Sequence, residues 1–321
     1  MINLLRAELT RMLSRKIVWI GFGVALLALA GLLVILGFQT RPTTAAEQAV
    51  GQKYFEQSHQ DWQDNHAAVE QDCKKSAPAD QCQFPEPKPQ DYARQVATFT
   101  QAGSQLALFG VGIFGLTALI AAASLVGADF GSGTIANWLS FIPNRWRVYS
   151  SKLVVTVVGC VAFATVGLAL VIAVLAIVVA GQQGGSAVTG WQPVLGTLGR
   201  GLGVIGLCSI LGFTVAFITR RTIAALGIAL GYLILRLVLS AFAQFAWFGK
   251  LQPWLPENNA LAVIAKKHDY YVYRQTVTEQ GINYDAVMKT IHWPHGLFYL
   301  LVAAAVLLAA GLVSFTRRDV T

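Results

Sequence analysis

Six long runs of apolar residues constrain this chain more than any other feature of its sequence. Each run holds about 18 residues or more with few or no charges, which is enough α-helix to cross a bilayer about 30 Å thick. Apolar residues make up 55% of the 321 residues and charged residues only 12%, more apolar surface than a soluble domain can bury. The runs cover residues 17–38, 105–127, 153–181, 202–219, 222–248 and 296–316.

The runs predict helices and not strands. Strands of a membrane barrel alternate polar and apolar residues, whereas these runs are continuously apolar and contain glycines at helix-packing spacing, such as Gly227 and Gly231. We therefore predict an all-α integral membrane protein with six transmembrane helices. Residues 1–16 place leucines on one face and arginines largely on the other, which predicts an amphipathic elbow helix in the headgroup layer. A cleaved signal peptide over residues 1–38 is the alternative, but its apolar run is long for one.

The distribution of Lys and Arg predicts the orientation. Basic residues concentrate in the N-terminal segment, in residues 128–152, at the 219–222 turn and in the tail, residues 317–321, which all lie on one side of a six-helix path. By the positive-inside rule that side is cytoplasmic, so both termini face the inside of a bacterial plasma membrane. The net charge of +8 is then a topology signal, and no nucleic-acid partner is expected. The extracytoplasmic segments are residues 39–104, a large first loop, 182–201 and 249–295.

Two cysteines lie in the first extracytoplasmic loop. Cys73 and Cys82 are nine residues apart in a polar setting, and an oxidising exterior favours a disulfide between them. Two unpaired thiols, or a metal site with further ligands, are the alternatives. Cys160 and Cys208 lie within apolar runs, where cysteine usually acts as a small packing residue.

Several catalytic signatures are missing from the sequence. No phosphate-binding loop of the form Gly-x-x-x-x-Gly-Lys-Ser/Thr occurs, so the chain is not expected to be an ATPase. No zinc-protease motif, serine-hydrolase elbow or Cys-x-x-Cys pair occurs either. An enzyme acting on a lipid-linked substrate is therefore a poorer hypothesis than a protein without catalysis of its own.

A polar, basic island joins the second and third apolar runs. Within residues 128–152 it contains an acidic residue, a Gly-Thr pair, a Pro-x-Arg turn and a Lys where the chain re-enters the membrane. This order resembles the permease subunits of type-2 ABC exporters, as does the arrangement of the whole chain. The matching positions are Asp129, Gly133, Thr134, Pro143, Arg145 and Lys152. The family more often has Glu where Asp129 stands.

The resemblance implies a function for the island. In that family this connection includes a coupling helix that docks on a separate ATPase subunit, and two permease subunits form a dimer around the pathway. Here Arg145 and Arg147 are expected to face an acidic groove on the ATPase, while ATP and Mg²⁺ bind that partner and no cofactor binds this chain. The alternative is a basic loop that only sets topology, with tryptophans at the membrane interface.

The fifth run carries an arginine at membrane depth. Arg236 lies four residues from Tyr232 and from Ser240, and Gln244 continues the same helix face. A guanidinium in the bilayer needs protein, water or a carbonyl as its partner. We therefore expect this stripe to border the transport pathway or the dimer seam, with a structural hydrogen-bond clamp as the alternative.

Together these features predict the permease of an ATP-driven exporter. The expected substrate is hydrophobic or amphipathic, such as a drug, an antibiotic, a peptide or a lipid. The expected partners are ABC ATPase subunits, a second permease subunit and membrane lipid. The alternative is a non-transporting membrane anchor or sensor that acts through its disulfide-bearing outer loop.

Overall fold

Helices long and apolar enough to cross a membrane dominate the fold. The computed structural model describes residues 2–76, 82–141, 143–242, 245–278 and 281–317. Within that part of the chain there are six candidate spans, as the runs predict. They are α2 (Lys16–Thr40), α5 (Phe99–Gly131), α7 (Arg145–Gln183), α8 (Trp191–Thr219), α9 (Thr222–Ser240) and α12 (Trp293–Arg317).

Shorter elements lie between and beside the spans. Helix α1 carries the predicted amphipathic N-terminal segment, and α6 lies in the island between the second and third spans. In the described part of the chain, two α-helices lie between α2 and α5, and two α-helices and two strands lie between α9 and α12. The helices are α1 (Ile2–Ser14), α3 (Ala45–Ser76), α4 (Pro89–Tyr92), α6 (Thr134–Phe141), α10 (Ala246–Leu251) and α11 (Pro256–Ala265), and the strands are β1 (Lys267–Thr278) and β2 (Gly281–His292).

Helices α5 and α8 form the centre of the bundle. Glycines bring their backbones together, because a Cβ added at Gly212 would lie 2.1 Å from the carbonyl oxygen of Leu119. Gly227 and Gly231, which were singled out from the sequence, and Gly203 of α8 do not bring backbones together within the chain. An added Cβ at Gly203, Gly227 or Gly231 would meet no other described atom within 4 Å.

We name the two ends of the bundle by the chain termini. The terminal end carries α1, α6 and the described end of α12. The far end carries α3, α10, α11 and the two strands. Contacts between α1, α5, α7 and α12, described below, hold the terminal end together.

The ends of the spans differ from the apolar runs. Helix α5 continues to Gly131 and α7 begins at Arg145, so much of the 128–152 island is helical and not a loop. Helix α9 ends at Ser240, whereas its apolar run continues to residue 248. The run includes Trp247 and Phe248, which belong to the separate helix α10. The run was too long as a prediction of α9 because hydropathy reports only how apolar the residues are, and a helix can end within an apolar run.

The last segment before α12 contains a hairpin that the sequence analysis did not predict. Strands β1 and β2 pair antiparallel from Lys267 opposite His292 to Thr278 opposite Gly281. The tyrosines and valine at 270–273 favour strand, and Tyr270 packs with Ala262 of α11 and Ile291. The helical fold class is otherwise confirmed.

The large first loop between α2 and α5 folds back on the long polar helix α3. The predicted disulfide between Cys73 and Cys82 is present, with Cα atoms 5.6 Å apart. The returning chain also accepts a hydrogen bond from Trp62 Nε1 at the carbonyl of Phe84, 2.9 Å away. The described residues of the first loop therefore form a layer at the far end in which the returning chain packs on α3.

Candidate functional site

Four charged side chains meet in a buried cluster at the terminal end. Lys152 Nζ donates to both carboxylate oxygens of Glu8 at 2.9 Å and to Asp129 Oδ2 at 2.5 Å. Arg15 Nη2 donates to the other oxygen of Asp129 at 2.6 Å. Lys152 is only 3% exposed and Asp129 5%. Arg11 Nη1 is also 3.7 Å from Glu8 Oε1, so three cations surround two largely buried carboxylates. We call the four hydrogen-bonded side chains the charge cluster.

Packing of α1 brings two of the four charges to the cluster. Glu8 and Met12 lie one turn apart on the same face of α1. Met12 is buried against Gly159 of α7, where an added Cβ would lie 2.3 Å from the Met12 sulfur. Arg15 occupies the bend between α1 and α2, and also donates to the Ser124 carbonyl at 3.4 Å. The charge cluster thus fastens the N-terminal helix to α5 and α7.

The turn after α5 uses the predicted Gly-Thr pair. Gly133 has a φ of 68°, a left-handed conformation that suits glycine, and Thr134 begins α6. Thr134 Oγ1 lies 2.6 Å from Ser132 Oγ. A short helix, α6, therefore follows this turn. Trp138 on α6 lies under the charge cluster, with Arg11 Cζ 4.9 Å and Lys152 Nζ 6.0 Å from its ring centroid.

The Pro143–Arg147 segment starts α7 and contacts α12. Asn144 Oδ1 accepts a hydrogen bond from the Arg147 backbone N–H at 3.2 Å, which caps the helix. Arg145 Nη1 donates to the carbonyls of Phe315 and Thr316 at 2.9 and 3.0 Å. Arg145 therefore binds the last turn of α12, where a cation is favourable, and this contact was not expected from the sequence.

Five aromatic rings pack beside this segment and join the ends of four spans. Tyr149 contacts both Phe213 and Phe217, with ring centroids 5.2 and 4.9 Å apart. Its hydroxyl donates to the Leu308 carbonyl of α12 at 3.1 Å. Such buried aromatic contacts make the terminal ends of the spans one packed unit. The rings are Phe130, Tyr149, Phe213, Phe217 and Phe315.

A comparison with protein families agrees with this architecture. A family model described as "ABC-2 family transporter protein" matches residues 2–320, nearly the whole chain. The chain belongs to the ABC-2 transporter family. A comparison with individual curated proteins found no match.

Membership establishes the coarse function of the ABC-2 permease. It is a multi-pass transmembrane subunit of an ABC transporter and is not itself the ATPase. The family implies association with ABC ATPase subunits. The six apolar helices agree with this assignment.

The far end of the permease contains the predicted intramembrane stripe. Tyr232 and Arg236 face inward from α9 and share one partner, Glu257 of α11. The Tyr232 hydroxyl donates to Glu257 Oε2, and Arg236 Nε donates to Oε1. Ser240 donates instead to its own helix, at the carbonyl of Leu237. Gln244 lies outside the described residues.

A histidine lies close to this far-end ion pair. Burial lowers the pKa of His268 on β1, while the nearby carboxylates of Asp269 and Glu257 oppose that shift. A hydrogen bond from Thr290 lowers the pKa of Asp269, with Oγ1 2.5 Å from the carboxylate. The far end of the permease therefore holds several titratable groups on α11 and β1.

Sequence reasoning missed three members of these sites. The sequence analysis counted Arg15 only among the basic residues of the N-terminal segment and did not single out Glu8 or Glu257. Each forms an ion pair with a charged residue that the sequence analysis had singled out. The pairs are Glu8–Lys152, Arg15–Asp129 and Glu257–Arg236. A buried charge needs a partner, so a search for opposite charges on neighbouring segments is the signal that could have found them.

Proposed function

We propose that this permease exports a hydrophobic or amphipathic substrate across a bacterial plasma membrane, driven by a separate ATPase that docks at the terminal end. The termini are cytoplasmic in this proposal, and ATP and Mg²⁺ bind the partner. The exposed apolar surface around α6, which is backed by the buried charge cluster, is the observation that carries the proposal.

The docking surface consists of Phe141, Trp146 and Arg147. The side chain of Phe141, at the end of α6, is 86% exposed, and that of Trp146, in the first turn of α7, is 59% exposed. Arg147 is exposed next to them. Exposed aromatic side chains beside an arginine are typical of the centre of a protein interface. These residues therefore take the role that the sequence gave to Arg145 and Arg147 together.

Asp129 and Lys152 have a different role in this proposal. Both are buried, so they transmit a movement of the docked ATPase and do not contact it directly. The charge cluster joins α1, α5 and α7, and Trp138 of α6 lies against it. Pressure on α6 would then move these helices as one body. Gly133 and Thr134 form the turn at which α6 leaves α5, and Pro143 precedes α7.

A second permease subunit packs against α9 in this proposal. Gly227 and Gly231 form a Gly-x-x-x-Gly pair on the face opposite Arg236, a pattern that favours close pairing of membrane helices. Ile223 and Leu230 on the same helix are exposed, at 81% and 59%. The dimer seam is thus assigned to this outward face, and the inward stripe of Tyr232 and Arg236 to the pathway.

Co-purification with the motor tests the proposal. Tagged wild-type chain, purified from its host in mild detergent, is expected to carry a subunit with a phosphate-binding loop and ATPase activity. The triple variant F141A/W146A/R147A is expected to lose it. Phe298→Ala is the matched control, because Phe298 is 72% exposed near the opposite end of α12.

Two results would oppose the proposal. Equal capture of the ATPase by the triple variant would remove α6 and its neighbours as the docking surface. If no ATPase is captured by intact wild-type chain under any mild condition, an anchor or sensor acting through the outer loop becomes the better account.

A further inference from the structure

The Arg236–Glu257 ion pair lies about one turn before the far end of α9, and its two charged groups are unevenly matched. Arg236 is 14 residues after Thr222, which places it about 21 Å along the helix axis. Both carboxylate oxygens of Glu257 are used, one by Tyr232 and one by Arg236 Nε. Arg236 Nη1 is buried and has no hydrogen-bond partner among the described residues.

A buried guanidinium donor without an acceptor is costly. A guanidinium has five N–H groups in a fixed fork, and a carboxylate or phosphate can accept two of them in parallel. Glu257 meets the fork only at Nε, so part of the charged group is left without an acceptor. A buried ion pair is weak evidence for stability alone, since apolar packing could join α9 and α11 as well. The arrangement therefore suggests a role in binding.

The surroundings of Arg236 suit an amphiphile. The Phe248 ring lies 5.5 Å from Arg236 Cζ and gives the guanidinium an aromatic neighbour. Leu233 and Leu237 flank it on α9 and are 53% and 73% exposed. The Arg236 side chain itself is 28% exposed, so the charge can be reached from outside the bundle. A charged head and an apolar tail would both find matching surfaces here.

We propose that Arg236 binds the anionic head group of an amphiphile, a carboxylate or a phosphate, and that Glu257 occupies the guanidinium when the site is empty. The incoming anion replaces Glu257 and also reaches the Nη1 donor. In the transport cycle, an inference that rests on the proposed function, this makes the pathway selective for anionic amphiphiles over cationic ones.

Binding of dibromostearic acid to the purified permease in non-ionic detergent tests the site. Bromine quenches nearby tryptophan fluorescence, and Trp247 and Trp254 lie on α10 and just after it. Saturable quenching is expected with the acid and not with its uncharged methyl ester. Glu257→Gln removes the competing carboxylate and is expected to tighten binding about tenfold or more. Arg236→Gln is expected to abolish saturable quenching.

Arg221→Gln is the matched control, because it removes the same charge from the other end of α9 and should leave binding unchanged. A structural clamp makes a different prediction: both Glu257→Gln and Arg236→Gln would lower thermal stability and neither would tighten binding. That result, or equal quenching by the acid and the ester, would overturn the proposal. Normal elution and unfolding temperature of Glu257→Gln show that its altered binding is not caused by misfolding.

Two further arms distinguish the source of the anion. If the acid stimulates ATP hydrolysis by the complex with its ATPase, the site serves transported substrate. If phosphatidylglycerol in nanodiscs displaces the acid without changing ATP hydrolysis, the site holds a membrane lipid. Both support an anion site at Arg236. The quenching assay uses the permease alone, so it also separates failure of this site from failure to capture the ATPase.

Discussion

Replacing Lys152 by Met tests whether the charge cluster holds the terminal end together. The substitution keeps an unbranched chain of similar length and removes the charge that three carboxylate oxygens share. Asp129 would then keep Arg15 as its cationic partner, and Glu8 would keep only Arg11, whose Nη1 is 3.7 Å from Glu8 Oε1. We expect α1 to lose its attachment to α7 first, because Lys152 is its direct partner there.

The magnitude follows from the distances. At 2.9 Å and an effective dielectric constant of about 20, one ion pair gives about 6 kcal/mol of attraction before desolvation. Desolvation offsets much of that, and removing one partner of a buried pair costs about 3–5 kcal/mol because a charge is left uncompensated. We expect K152M to lower the free energy of unfolding by that amount. This destabilisation comes more from the carboxylates that lose their cation than from the hydrogen bonds that Lys152 itself made.

Unfolding of the purified permease by sodium dodecyl sulfate, followed by circular dichroism, measures this loss. Hydrogen exchange in residues 2–14 should also accelerate more than exchange in α8. The double variant D129N/K152M removes one carboxylate together with the lysine, so the net charge of the site stays as in the wild type, and it should be less destabilised than K152M alone. Lys53→Met on α3 is the control, because Lys53 is exposed and should change stability by less than about 0.5 kcal/mol. If K152M costs less than about 1 kcal/mol, the reasoning about uncompensated charge is refuted.

Three other predictions concern packing, pH and the disulfide. Gly212→Ala should lower the unfolding temperature, because its Cβ would press on the Leu119 backbone of α5; Gly203→Ala, with open space around it, should not, and equal effects would contradict the packing. Because the pKa of His268 is lowered by burial, acidification below about pH 6.5 should protonate the unfolded chain first and reduce stability. His268→Gln should remove that part of the loss between pH 7.5 and 5.5 in a thermal scan, and an unchanged loss would exclude His268 as its source. Reduction of Cys73–Cys82 should speed hydrogen exchange in the C-terminal half of α3 and leave its first turns unchanged, since the bond closes the chain only there; uniform acceleration along α3 would contradict this.

The sequence predicted the spans because the membrane imposes a simple requirement. A helix that crosses lipid must be apolar over about 20 residues, and that pattern survives without knowledge of neighbours. The same argument failed at α9, where the apolar run continues past Ser240 into α10. Hydropathy measures the environment of side chains and does not detect where backbone hydrogen bonding stops.

The candidate sites were only partly predictable for a different reason. Asp129, Lys152 and Arg236 could be singled out as charges near or within apolar sequence. Their partners could not be chosen, because Glu8 is 144 residues from Lys152 and Glu257 is 21 residues from Arg236 in the chain. Pairing across such distances depends on how helices pack. The two arginines that the sequence grouped together also differ in their surroundings, since Arg145 donates to the end of α12 and Arg147 is exposed.

In the proposed transport cycle the two charged sites act in sequence, because α9 contacts α5 at one end and Glu257 at the other. At the terminal end α9 packs closely on α5, since an added Cβ at Gly127 would lie 2.3 Å from Thr222 Oγ1. At the far end, the side-chain hydrogen bonds that join α9 to another described element all go to the Glu257 carboxylate. In the proposed cycle, a movement of α5 and the charge cluster would tilt α9 about its first turn and act on that one carboxylate. An anion that is already bound at Arg236 would weaken the Arg236–Glu257 ion pair before α9 moves. Bound substrate should therefore make the far end easier to open. The complex of wild-type permease with its ATPase should therefore show substrate-stimulated ATP hydrolysis. The complex that contains Glu257→Gln permease should hydrolyse ATP at a high rate without substrate, and a low basal rate in that complex would contradict the connection.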